Sequence, residues 1–194
     1  MPVFLFAYGS LCHPDAASAT LGRAVVPRPA HAHGWERGWF VAIDNHASCS
    51  YACGRCDGLP AECLVLGIRP AAGKSMLGAL IEIDEDERAR VAARERSYRM
   101  EHIPVRESRA GGPVEVTAIT SVPLAENLAS GAATGIPVPT GYERAVADAL
   151  EALATPLGVD LRGQVVCSPA PRRNDLRYVR GDGVTRGACT CEDA

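Results

Sequence analysis

Four features of this 194-residue sequence carry groups suited to chemistry. Glu95 falls in a helical stretch in line with Val91 and Ala92, the small apolar face of an otherwise charged segment. A carboxylate continuing that face points at the core, where desolvation raises its pKa and suits it to proton exchange near neutrality. Arg94 and Arg96 are expected to point elsewhere on the helix. The same glutamate also reads as a solvated member of the run Arg94-Glu95-Arg96, and spacing leaves both readings open. Tyr8-Gly9-Ser10-Leu11 follows a short apolar run. Glycine there lets backbone approach a ligand closely, and N–H groups near a helix start favour carboxylates and oxyanions. It reads equally as an ordinary strand-to-helix turn. Tyr142 heads the stripe Tyr142, Val146, Ala149, Leu150 and Leu153, so its ring should face inward with a hydroxyl in need of a partner.

The fourth feature is a set of eight cysteines. Cys49, Cys53, Cys56 and Cys63 cluster, Cys189 and Cys191 form a second group, and Cys12 and Cys167 stand apart. Without a secretory leader they read as metal ligands or free thiols rather than disulfides. Cys49-x3-Cys53-x2-Cys56 has the spacing of the iron–sulfur motif in radical enzymes using S-adenosylmethionine, but a chain of this length cannot supply the large barrel those enzymes build. A structural zinc held by Cys49, Cys53 and Cys56 with Cys63, His46, Cys189 or Cys191 is the more natural metal reading, with reduced thiols as the alternative.

Stepping outward, these residues need elements to position them. Pro2 to Tyr8 predicts a buried strand ending at Gly9, and Pro14 suits the first turn of a short helix through about Leu21. Trp35 to Ile43 predicts a strand, Asp44 to Pro60 a loop, and Glu62 to Ile68 and Met76 to Ile83 two strands joined by a turn at Pro70 to Gly73. Asp84 caps a helix with an acidic first turn that runs to about Arg96. Tyr98 to Glu107 and Val114 to Val122 predict a hairpin across Gly111-Gly112. Leu124 to Pro139 reads as a loop, and Thr140 with Glu143 as the capping box of a helix through Leu153. A last short strand is expected over Gln164 to Ser168. The class is α+β, with one domain over residues 1–168 and a polar, arginine-rich, mobile tail over 169–194.

Composition narrows the functions. At 47% hydrophobic residues the chain can bury a proper core. A net charge of -3 makes no electrostatic case for nucleic acid. No apolar run approaches the roughly 20 residues of a membrane span. A cytoplasmic protein without membrane or nucleic-acid partners is expected.

Taken in order, the motifs resemble the gamma-glutamylcyclotransferase-like family. Phe6-Ala7-Tyr8-Gly9-Ser10-Leu11 resembles its signature loop after the first strand. Gly78-Ala79-Leu80-Ile81-Glu82-Ile83 and the acidic helix follow at the family's spacing. Ala93-Arg94-Glu95-Arg96-Ser97-Tyr98 resembles the helix end that holds the catalytic glutamate, and Pro139 to Tyr142 the later segment whose tyrosine touches substrate. The cysteine-rich loop and the arginine-rich tail depart from the pattern. The resemblance implies a small mixed β-barrel flanked by helices and a cofactor-free reaction releasing 5-oxoproline from a γ-glutamyl amine or peptide. It implies Glu95 as acid/base, Tyr8, Gly9, Ser10, Leu11 and Tyr142 as substrate contacts, and a monomer or homodimer. A non-catalytic module binding a small ligand on the same fold is the alternative, with or without zinc in the cysteine loop. A metal-stabilised interaction protein is a third reading.

Overall fold

The computed structural model describes residues 3–48, 50–129, 135–158, 165–166, 171–179 and 185–191. In chain order its elements are β1 (Val3–Ala7), a 3-10 turn at Ser10–Cys12, α1 (Pro14–Leu21), β2 (Arg28–Asp44), α2 (Asn45–Ser48), β3 (Tyr51–Cys53) and β4 (Glu62–Ile83). Then come α3 (Glu85–Arg94), β5 (Tyr98–Glu107), β6 (Val114–Pro123), β7 (Val138–Pro139), α4 (Thr140–Ala154), β8 (Val165–Val166), β9 (Arg172–Arg173) and β10 (Leu176–Tyr178).

Strands β4, β1, β6, β5 and β2 pair in that order, and β2 pairs back onto β4 to close a five-stranded barrel. The barrel is mixed because β1 lies antiparallel to β4 but parallel to β6. Its core fills with inward side chains such as Phe6, Leu64, Leu66, Met76 and Leu80, all essentially fully buried. Closure depends on two long strands. β2 and β4 stay paired from Arg28↔Leu80 to Asp44↔Glu62, with register shifts at His33/Trp35 and Trp39/Val41 that bend the ribbon. Gly34 and Gly73 take positive φ of 79° and 75° at the bend, a conformation open to glycine without steric cost.

This overturns two expectations. β2 begins seven residues before Trp35, and β4 is one strand through Pro70 rather than two joined by a turn. Proline is tolerated there because its partner Trp35 borders the register shift at His33/Trp35, where the ladder is irregular. The expected hairpin of β5 and β6 is present, with Tyr98 opposite Pro123 and Glu107 opposite Val114.

Outside the barrel, α4 packs its stripe of Val146, Ala149, Leu150 and Leu153 inward. The capping box expected at Thr140 does not form. Thr140 is already helical, Pro139 stands at the cap without a side-chain bond, and Glu143 turns to Arg172 at 3.0 Å. The loop expected over Asp44 to Pro60 contains α2 and β3. Nor do the described residues of the C-terminal segment behave as a mobile tail: β10 pairs antiparallel with β3, and β9 runs parallel to β7. Of the strand expected over 164–168, Val165–Val166 is seen and pairs with β2, while the other three residues lie outside the described residues. No helix among the described residues is long and apolar enough to cross a membrane.

Candidate active site

Glu95 reaches its place because α3 stops short of it. Asp84 accepts the Glu87 N–H at 2.7 Å while the Glu87 carboxylate accepts the Asp84 N–H at 2.9 Å, a capping box that fixes the start of the helix. Arg23 then clamps the buried Glu87 at 2.5 Å. Val91, fully buried, docks the helix, which ends at Arg94 rather than running on to Arg96. Glu95 is the C-cap residue. Its N–H donates to the Val91 carbonyl at 3.0 Å and its carbonyl accepts from the Tyr98 N–H at 3.1 Å. The side chain is thereby held at the joint between α3 and β5, 20% exposed.

Around that carboxylate the chain gathers the turn and the tyrosine singled out from the sequence, but none of the cysteines. Tyr8, Gly9, Ser10, Leu11, Glu95 and Tyr142 line one small cavity of about 40 Å³, together with Tyr98 and Ser121. The volume accommodates roughly three waters or one polar end of a ligand. Ser10, Glu95, Tyr98 and Tyr142 also line a cleft of about 1040 Å³, so the small cavity forms its floor. The cleft is of a size to hold a small molecule. Its far wall comes from Tyr51 of β3 and from Leu176, Arg177 and Tyr178 of β10.

The electrostatics differ from expectation in one respect. Arg94 does not point away: its Nε lies 3.2 Å from Glu95 Oε1. The same guanidinium donates to Ser10 Oγ at 3.1 Å and to Thr20 Oγ1 at 2.6 Å. Helix termination explains this, since leaving helical geometry at Glu95 lets adjacent side chains swing to one side.

No protein-family model matches the chain, and no curated protein matches it in sequence. Solved structures do match in shape. A gamma-glutamyl cyclotransferase aligns over 84% of this chain and 85% of its own at 14% identity, with a TM-score of 0.54. A yeast gamma-glutamyl cyclotransferase specific to glutathione aligns over 69% and 75% at 12% identity, with a TM-score of 0.50. The chain spans only 62% of the length of an Arabidopsis thaliana protein solved in solution, at 22% identity and a TM-score of 0.41. This is the gamma-glutamyl cyclotransferase fold.

On that fold, three further residues build the site that sequence reasoning passed over. Arg37, fully buried on β2, donates to the carbonyls of Tyr8 at 2.6 Å and of Leu77, pinning the turn to the barrel. Burial lowers its pKa to about 10, so it remains a cation at neutrality. A charged residue between Trp35 and Trp39 in a strand was the available signal. Tyr98 donates to the Leu66 carbonyl at 2.7 Å, and Arg94 bridges Glu95 to the turn. Tyr8 donates to the Ser121 carbonyl at 2.7 Å. Burial, and then the nearby Glu95 carboxylate, push the Tyr8 and Tyr142 hydroxyls upward. Tyr98 is raised by burial and then by Tyr8, Tyr142 and Glu95. All three tyrosines therefore stay protonated around the cavity as hydrogen-bond donors. The Tyr142 ring stands edge-on to Trp39, with centroids 5.6 Å apart.

Proposed function

We propose that this chain is a cyclotransferase that releases 5-oxoproline from a γ-glutamyl amine or γ-glutamyl peptide, with Glu95 as general acid and base. One observation carries the reading: the Glu95 carboxylate, the Tyr8 to Leu11 turn and Tyr142 share one small cavity at the floor of a cleft large enough for a small molecule. The fold shared with gamma-glutamyl cyclotransferases supports it.

In this reading the γ-glutamyl head enters the floor with its carboxylate toward the N–H groups of Gly9 to Leu11 and toward Arg94. Glu95 takes one proton from the substrate α-ammonium. The freed amine attacks the γ-carbonyl carbon, closing a five-membered ring. As the tetrahedral intermediate collapses, Glu95 returns the proton to the leaving nitrogen, the γ-amide bond breaks, and the second proton of the ring nitrogen passes to water or to the released amine. Attack within one molecule needs little beyond a folded substrate and a placed proton carrier. Tyr142 offers its hydroxyl proton to the oxygen on which negative charge develops, while Tyr8 and Tyr98, bonded to the Ser121 and Leu66 carbonyls, hold the cavity's shape. The amine side of the substrate extends along the Tyr51 and Tyr178 wall.

A panel of γ-glutamyl dipeptides, γ-glutamyl amines and glutathione, scored for 5-oxoproline, tests the proposal. Turnover of at least one class is expected. Binding of γ-glutamyl compounds without any 5-oxoproline release would instead make the chain a non-catalytic binding module.

A further inference from the structure

Four of the cysteines that the reaction does not use come together where β3 ends at Cys53, next to the cleft wall. Cys53, Cys56, Cys189 and Cys191 each present a sulfur, and the four sulfurs all lie within 4.8 Å of one another. The Cys56 and Cys189 sulfurs lie 3.6 Å apart. A tetrahedral zinc with ~2.3 Å bonds to sulfur requires sulfur–sulfur separations of about 3.8 Å, so small side-chain adjustments complete the site. The ligand set differs from the sequence reading: Cys63 is buried on β4 and, like His46, is no part of this cluster, and Cys49 lies outside the described residues.

The backbone around the sulfurs is shaped for a bound cation. Cys53-Gly54-Arg55-Cys56 forms a tight turn, closed by Asp57 N–H to Cys53 O at 2.8 Å, with Asp57 at φ 60°. Cys191 N–H points to Cys189 Sγ at 3.4 Å. Gly54 N–H bonds to Asp175 O at 2.6 Å, while Leu59 and Cys189 exchange bonds with Gly187 O and Leu59 O. A Cβ on Gly58 would stand 2.5 Å from Ala188 O, so glycine is what lets the two segments lie this close. A zinc with four thiolates carries two net negative charges; Arg173 Nη2 sits 3.5 Å from Cys53 Sγ, paired with Asp175, whose Oδ2 also lies 3.5 Å from that sulfur. Arg55, bonded to the Cys191 carbonyl at 3.4 Å, supplies a second cation.

We propose that Cys53, Cys56, Cys189 and Cys191 bind one Zn²⁺ as a tetrathiolate site that fastens the C-terminal segment to the cysteine loop. The binding is not redox: four thiols lose up to four protons to solvent and no electrons move. Because β3 ends at Cys53 and pairs with β10, and these strands carry Tyr51 and Tyr178, the zinc holds one wall of the cleft without touching its floor.

The test is the full-length chain, purified reduced from zinc-supplemented cells. Elemental analysis should find one zinc per chain, retained through gel filtration, with no iron. Chelation should lower the melting temperature by at least ~5 °C, and refilling with Co²⁺ should give the visible bands of a tetrahedral tetrathiolate. Cys189→Ser should lose the metal, whereas Cys12→Ala should keep it. If Cys189→Ser does not fold, the cobalt spectrum of the wild type decides. Folded, reduced protein that holds no zinc and gives no tetrathiolate cobalt spectrum overturns the proposal. So do iron in zinc's place and a Cys56–Cys189 disulfide.

Discussion

The floor and the far wall of the cleft are built in opposite ways. The floor hangs from barrel strand ends, and its polar groups bond to fixed backbone: Arg37 to Tyr8 O, Tyr8 to Ser121 O, Tyr98 to Leu66 O. The wall rests on two three-residue strands, on a small apolar cluster joining Tyr51 and Leu176 to Val41, Ile43 and Val65, and on the ion pairs Arg173–Asp175, Arg55–Asp175 and Arg177–Asp57. The half-exposed pairs contribute ~0–1 kcal/mol each, and the cluster is far smaller than the barrel core. The proposed proton carrier thus sits where geometry is hardest to disturb. The surface proposed to meet the variable part of a substrate sits where it is easiest to change.

Mutations sharpen or break this contrast. Glu95→Gln, on the floor, should cut 5-oxoproline release by at least ~100-fold while melting temperature and ligand affinity change little, because glutamine keeps the shape but cannot carry the proton. Near-normal turnover would remove Glu95 from the chemistry. Arg37→Met strips two buried carbonyls of their donor and should cost about 3 kcal/mol, roughly 10 °C in melting temperature by calorimetry. A shift under 2 °C would mean the floor does not depend on that anchor. On the wall, Tyr178 is 64% exposed and packs edge-on to Tyr51 at 5.7 Å. Tyr178→Ala should raise KM about two- to tenfold with kcat unchanged. A drop in kcat matching that of Glu95→Gln would erase the division between floor and wall. The smallest effect belongs to Thr140→Val. The Thr140 hydroxyl oxygen is buried with no hydrogen-bond partner among the described residues, so an isosteric apolar side chain should stabilise by about 0.5 kcal/mol in denaturant unfolding.

The same contrast decides what could be read from the sequence. Floor elements announce themselves locally: an apolar run broken by Gly9, an acidic first turn after Asp84, a hairpin across Gly111-Gly112. Their positions around one cavity follow from short-range patterns repeated in order. Arg94 escaped because helical spacing places it away from Glu95, and only the end of α3 at Arg94 brings the two together. Pro70 was misleading for a related reason, since a proline usually ends a strand and here sits where the β2–β4 ribbon bends. The wall had no local signature at all. Leu176 pairs with Cys53 and Tyr178 with Tyr51 across more than a hundred residues, and nothing in an arginine-rich stretch names its partner.

That long reach also sets an order of events during synthesis. All five barrel strands have been made once Pro123 is added, and the last floor residue once Tyr142 is, so the floor can close while later residues are still being joined. β3 must wait for β10, whose last residue, Tyr178, follows Pro123 by 55 positions (178 − 123), and its cysteines wait until Cys191. For several seconds of translation, at roughly 5–20 residues per second, the nascent protein has its floor before its wall.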